Sequence, residues 1–195
     1  MEAFQNICVF CGSSSQAPPA HLQAARVLGQ QIAQTNRTLI YGAGSTGVMG
    51  AVADAVMEHG GQVIGVIPQF MVDNGWAHAH LTQTIVTADM HERKMRMSAM
   101  ADAIVALPGG IGTYEELFEA ITWKQLGLIN KPIVIANIDG FYDPLIQQLQ
   151  AAVETHYMRT IHQNLWNVAN DGMSIMQAIT DSAPWDTAAG KFAAI

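Results

Sequence analysis

An arginine, a pair of glutamates and a glycine-rich turn are the residues of this chain best suited to chemistry. In Leu107-Pro108-Gly109-Gly110-Ile111-Gly112-Thr113-Tyr114-Glu115-Glu116, an apolar run from 103 to 107 passes through three glycines into an amphipathic segment that begins with two acids. Glycines at such a turn let a ligand approach the backbone, and the free N–H groups at the start of the following helix favour an anion, most often phosphate. The neighbouring carboxylates are unexpected in a pure phosphate cradle, because like charges repel, but an enzyme attacking a sugar beside that phosphate has a use for one. Thr113 and Glu116 also spell T-x-x-E, and spacing alone favours a capping box as the role of Glu116.

The second cluster is Met90-His91-Glu92-Arg93-Lys94-Met95-Arg96-Met97. Three of the nine Lys and Arg residues of the chain sit here, at 93, 94 and 96. Concentrated positive charge in an acidic protein suits a small anion, whereas a solvated helix face is the commoner origin of such a triplet. Met90, Met97 and Met100 at helical spacing read as a buried stripe on the same segment.

The rest of the chain must position these groups. Its 195 residues are half apolar, enough for one compact domain over 1–195, with an Ala-rich tail after about 184 expected to be loose. A net charge of −7 with nine basic residues argues against a nucleic-acid or anionic membrane surface. With no signal peptide or transmembrane run in view, a cytoplasmic protein is expected. Strands are predicted at 6 to 11, 38 to 41, 62 to 67, 84 to 87, 103 to 107, 132 to 136 and 165 to 169. Helices are predicted at 19 to 35, 46 to 59, 90 to 100, 113 to 128, 142 to 155 and 173 to 180. This alternation predicts an α/β fold of Rossmann-like, doubly wound type: a mostly parallel sheet with helices on both faces, binding ligands beyond the carboxyl ends of its strands. Three turns fall there: 11 to 15 with Ser13, 41 to 47, and 108 to 113.

Several other chemistries fit poorly. Cys8 and Cys11 form C-x-x-C, but in a strand rather than at a helix start and without a second pair, so neither a redox site nor zinc is expected. His78, His80 and His91 lack an acidic or Cys partner at ligand spacing, and no resident metal or cofactor is expected. Gly42-x-Gly44-x-x-Gly47 matches G-x-G-x-x-G, yet it follows the second strand and has no acid about 20 residues on, which disfavours NAD. No Gly-Lys-Ser/Thr follows the first turn, which disfavours ATP hydrolysis.

Met90-His91-x-Arg93-Lys94-x-x-Met97 followed by Pro108-Gly109-Gly110-x-Gly112-Thr113-x-x-Glu116 resembles the paired signature of the LONELY GUY (LOG) family, the cytokinin riboside 5′-monophosphate phosphoribohydrolases. Val9-Phe10-Cys11-Gly12-Ser13-Ser14 and Tyr41-Gly42-x-Gly44-x-x-Gly47-Val48-Met49-Gly50 are similar to that family as well. The resemblance runs over nearly the whole chain. It implies cleavage of the N-glycosidic bond of AMP or an N6-modified adenosine 5′-monophosphate, giving free base and ribose 5-phosphate, without a cofactor. It implies Arg93 and Glu116 as the catalytic pair. It also implies a substrate-binding set of Ser13, Lys94, Gly109, Gly110, Ile111, Gly112, Thr113, Tyr114 and Glu115, and a homodimer.

One departure stands out. Many family members carry a substrate-contacting Glu shortly after the Ile-Pro that ends the third strand, and the matching position here is Gly75, with Asp73 nearby as a substitute. Two alternatives accompany the resemblance: a related carrier of molybdenum cofactor, which needs no catalytic pair, and lysine decarboxylase, a label also given to this family. The latter requires a pyridoxal phosphate Schiff base on Lys94, Lys124, Lys131 or Lys191, none of which lies in a recognisable cofactor motif.

Overall fold

A computed structural model describes residues 4–185. Seven strands form one sheet: Asn6–Phe10 (β1), Thr38–Tyr41 (β2), Gln62–Pro68 (β3), Gln83–Thr87 (β4), Ala103–Ala106 (β5), Ile133–Ala136 (β6) and Asn167–Ala169 (β7). Their order is β4-β3-β2-β1-β5-β6-β7, and every pairing is parallel. The helices are Pro19–Gln34 (α1), Gly47–Glu58 (α2), Gln69–Asp73 (α3), Met90–Met100 (α4), Ile111–Gln125 (α5), Asp143–Glu154 (α6) and Ile175–Thr180 (α7).

A parallel sheet needs cover on both faces, and the side chains of β1 show how the alternation provides it. Ile7, Val9 and Cys11 pack with Leu28 and Ile32 of α1, Val52 and Val56 of α2 and Ile175 of α7. Cys8 and Phe10 point the other way, toward Met97 of α4, Leu117 and Ile121 of α5 and Leu149 of α6. The chain winds outward from β1 in one direction through β2 to β4, then returns to the other side of β1 with β5. The connections leaving β1 and β5 therefore diverge, and a crevice opens between their carboxyl ends.

The predicted elements match in kind and order, with ends shifted by at most three residues, the largest shift at the C-terminal end of α5. The five-residue α3 and the 3-10 turns at Ile138–Gly140 and Thr160–Leu165 were outside the sequence reading, since each is too short to show a hydrophobic period. Helix α5 starts at Ile111, so the third glycine of the turn lies in its first turn instead of before it. No helix among the described residues is long and apolar enough to cross a membrane. The tail beyond 185 lies outside the described residues.

Candidate active site

The crevice is closed at its base by backbone touching backbone. Gly12 N–H donates to Pro108 O at 3.1 Å, and a Cβ on Gly12 would lie 3.0 Å from the Gly109 Cα. A Cβ on Gly109 would in turn lie 2.1 Å from Thr113 Oγ1, so the glycines bring the turns after β1 and β5 together. The turn after β2 is laced to the same point: Met49 N–H donates to Gly12 O at 3.0 Å, and the Thr46 hydroxyl donates to Ser13 O at 2.7 Å. From the far side, the buried Tyr142 hydroxyl donates to Leu107 O at 2.8 Å, fixing the strand end that feeds the glycine turn.

Helix α5 begins with Gly110 as its N-cap and no capping side chain, while Gly110 and Gly112 have open space where a Cβ would be. Its first N–H groups thus have no side-chain acceptor, and the N-cap Gly110 lines the crevice. This corrects the capping-box reading of T-x-x-E. Thr113 is already inside the helix, and Glu116 lies a turn further on, in contact with Arg93.

Arg93 corrects the reading of the basic triplet as a solvated face. It is 5% exposed and Lys94 is 7% exposed; only Arg96 reaches solvent, paired with Glu92 at 2.9 Å. The Arg93 Nε donates to Val66 O at 3.1 Å at the end of β3, and Nη1 lies 3.4 Å from Glu116 Oε1. Its Nη2 occupies the place a side chain at residue 42 would need, since a Cβ on Gly42 would be 2.1 Å from it. One guanidinium therefore spans β3, the turn after β2, and α5. Met97 on the same helix is fully buried, as the stripe predicted, while Met90 and Met100 are partly so.

Glu116 is 5% exposed, and burial pushes its carboxyl up to about 7, with Arg93 opposing and Glu115 adding to the rise. Lys94 experiences opposite pulls. Burial lowers its ammonium, but hydrogen bonds to Glu115 and Glu119 outweigh that and leave it raised. Glu119 is 3.1 Å away, and Glu115 is in still closer contact.

Two cavities meet at Ser13. The first, about 510 Å³, is lined by Gly12, Ser14, His21, Pro108, Gly109 and Gly110 among others. The second, about 480 Å³, has Arg93 as its only charged lining residue, with Gly42, Met49, Ile67, Met71 and Trp76 around it. Of the residues singled out in the sequence, Ser13, Gly109, Gly110 and Arg93 line these cavities; Glu116 stands behind Arg93 and Thr113 beside Gly109, and neither lines a cavity. Ile111 and Gly112 stand at the open start of α5, and Ile111 is 86% exposed. Lys94 and Glu115 are engaged with each other, and Tyr114 packs edge-on against Tyr142 at 5.8 Å; none of these three lines either cavity. Asp73 accepts from the Gln69 side chain at 2.8 Å and does not line the second cavity. Tyr142 and Met71 stand out in no motif of the sequence, and Met49 and Trp76 appear there only as neighbours of glycines, with no role assigned.

The cysteines are free and buried, with thiols pushed up first by burial and then by the charge of Glu116. His78 meets Asp54 at 3.0 Å, and no group of three or more potential metal ligands forms among the described residues.

Residues 49–179 match a family model described as "Possible lysine decarboxylase". The chain is 39% identical over 181 residues to the cytokinin riboside 5′-monophosphate phosphoribohydrolase LOG2 of Arabidopsis thaliana, an alignment covering 93% of this chain and 85% of that protein. The chain belongs to the LONELY GUY family. A probable LOG4 of Oryza sativa subsp. japonica is 40% identical to this LOG-family chain, over 92% of it and 78% of the relative. Among solved structures, the molybdenum cofactor binding protein from Rippkaea orientalis superimposes with a TM-score of 0.69 at 24% identity, over 92% of this chain and 98% of that one. The Moco carrier protein of Chlamydomonas reinhardtii gives 0.69 at 25%, over 91% and 96%. Those likenesses describe the fold.

The described lysines of this LOG-family member, Lys94, Lys124 and Lys131, do not suit the decarboxylase description. Lys94 is paired with two glutamates, and Lys131 donates to Ser98 O. Lys124 is buried, which lowers its ammonium to about 8, but it lies eight residues beyond Glu116, roughly 12 Å along α5 and away from the glycine turn. Lys191 lies outside the described residues.

Proposed function

We propose that this chain hydrolyses the N-glycosidic bond of an adenosine 5′-monophosphate-type nucleotide, AMP or an N6-modified form, to free base and ribose 5-phosphate. The observation that carries the reading is the buried Arg93–Glu116 pair, with Arg93 forming a wall of one cavity and the glycine turn a wall of the adjoining one. The names of the curated relatives favour the same reaction.

In this reading the phosphate binds at Gly109 to Thr113, against the open N–H groups of α5. The ribose lies over Ser13, which the two cavities share. As the bond from C1′ to the base nitrogen breaks, its electron pair leaves with the base and positive charge grows on the ribose ring. The ionised carboxylate of Glu116 stabilises that charge and takes a proton from the water whose oxygen bonds to C1′. The departing nitrogen picks up a proton to complete the free base. Arg93 is a permanent cation and therefore a poor proton donor. It orients Glu116 and draws the phosphate-bearing substrate in. Lys94, Tyr114 and Glu115 act by holding α4 and α5 in place. The enzyme works in the cytoplasm as a homodimer, one domain per subunit.

The test is incubation of purified protein with AMP, isopentenyladenosine monophosphate and the corresponding ribosides, followed by chromatography for free base. Base released from the monophosphates but not the ribosides supports the reading and ranks the substrates. Tight nucleotide binding with no release of base from any of them would replace it with the carrier reading.

A further inference from the structure

We propose that Trp76 forms the stacking wall of the base site and sets a preference for purine over pyrimidine nucleotides. The inference rests on the nucleotide reading of the site. A phosphate at the glycine turn and a ribose at Ser13, beside Arg93, leave one direction for the base: into the second cavity, beyond the guanidinium. Apart from Arg93, the side chains that wall this cavity are uncharged, and its apolar wall consists of Met49, Ile67, Met71 and Trp76. Thioethers and an indole form a slot suited to a flat aromatic ring.

A single exposed tryptophan needs no explanation by itself, and Trp76 is 55% exposed. Its setting is what argues for a ligand. Helix α3 ends in a tight turn in which Trp76 N–H donates to Met71 O at 3.1 Å, with Gly75 at φ +73°. The next residues are tied to the turn after β2, where Ala77 bridges Gly44 and His78 N–H donates to Ala43 O at 2.8 Å. The indole is thus presented to the cavity from a backbone anchored on both sides. At Gly75 nothing lies within 4 Å of where a Cβ would be, so the slot is open beside the indole. A purine offers the indole about twice the ring area of a pyrimidine.

The experiment compares wild type, Trp76→Phe and Trp76→Ala in turnover of AMP and CMP, with folding checked by circular dichroism. A parallel arm titrates AMP into Glu116→Gln and Glu116→Gln/Trp76→Phe, read by tryptophan fluorescence. Loss of the ring should raise KM for AMP by roughly five- to a hundredfold with a smaller change in kcat, and should shrink the AMP-to-CMP preference. Trp76→Phe should retain most of both. AMP should quench the fluorescence of Glu116→Gln, and the second substitution should abolish that quench. Unchanged KM and base preference in Trp76→Ala, or a quench that survives Trp76→Phe, would overturn the proposal while leaving hydrolysis standing. Quench without turnover of any nucleotide would sustain the stacking role and remove the hydrolase reading.

Discussion

Burial of Glu116 ties its chemistry to pH. Its carboxyl titrates near 7 in the folded chain, so the ionised form grows through neutrality and the catalytic efficiency should rise with pH along a limb centred there. Glu116→Gln should abolish turnover; retention of full activity would remove the residue from the mechanism. The same shift has a stability consequence. A group whose folded pKa is raised stabilises the fold below its unfolded value, and that contribution disappears as pH rises through about 7. Glu116→Gln should therefore melt higher than wild type at pH 8, by up to about 2–3 kcal/mol, with the gain vanishing toward pH 4. Equal melting curves at both pH values would show that Arg93 fully compensates the burial. Gly42 supplies an independent probe. A methyl there meets only the far end of the Arg93 side chain, at 2.1 Å, and the Met49 terminus at 3.2 Å. Gly42→Ala should cost about 1–3 kcal/mol in stability, the range for overpacking, while kcat falls at least tenfold as the guanidinium moves off Glu116. Unaltered kcat would show that the position of the guanidinium does not matter.

The Arg93–Glu116 pair sits on two helices, so in the proposed reaction their mutual position matters as much as the side chains. Arg93 and Lys94 are neighbours on α4; Glu116 and Glu115 are neighbours on α5, and the Lys94–Glu115–Glu119 cluster joins the helices one residue away from the pair. Lys94→Ala removes that clamp but leaves Glu115 with solvent to turn to, its side chain being 52% exposed. The expected loss is about 1–2 kcal/mol in chemical denaturation, less than for a fully buried pair, with a fall in kcat larger than any change in KM. A large KM effect with unchanged kcat would instead place the ammonium on the substrate. The strands and long helices are legible in the sequence because a parallel sheet imposes continuous apolar runs, such as Ile133–Ala136, and its helices repeat at 3.6 residues. Arg93 illustrates what is not legible. A charged residue on a helix reads as solvated unless one knows that Val66 O and Glu116 await it, and those partners lie 27 and 23 positions away in opposite directions along the chain. Glu116 was obscured by a capping pattern that local spacing fits and the true start of α5 breaks.

At the scale of the whole molecule, the same doubly wound sheet serves enzymes and carriers, so the fold alone does not choose between them. Nor does it explain the outer surface of α4 and α5. Met95 is 61% exposed, Leu128 68%, Leu126 46% and Phe118 41%, large apolar side chains on α4, on α5 and in the loop that follows it. Met95, Trp123, Leu128 and Ile129 also line a shallow cavity of about 690 Å³. An exposed apolar patch of this kind marks an interface, and a second copy of the chain is the occupant that the proposed homodimer supplies. A two-fold contact here would cover α4 and α5, the helices that carry Arg93 and Glu116, and would exclude water from their outer faces. A stable interface buries roughly 800 Å² per partner, and its apolar centre does not tolerate buried unpaired charge. Multi-angle light scattering should give twice the chain mass for wild type and the chain mass for Met95→Glu/Leu128→Glu, with circular dichroism unchanged because both positions are exposed. A double variant that remains dimeric would move the interface to another face, and a monomeric wild type would leave the patch for a different partner.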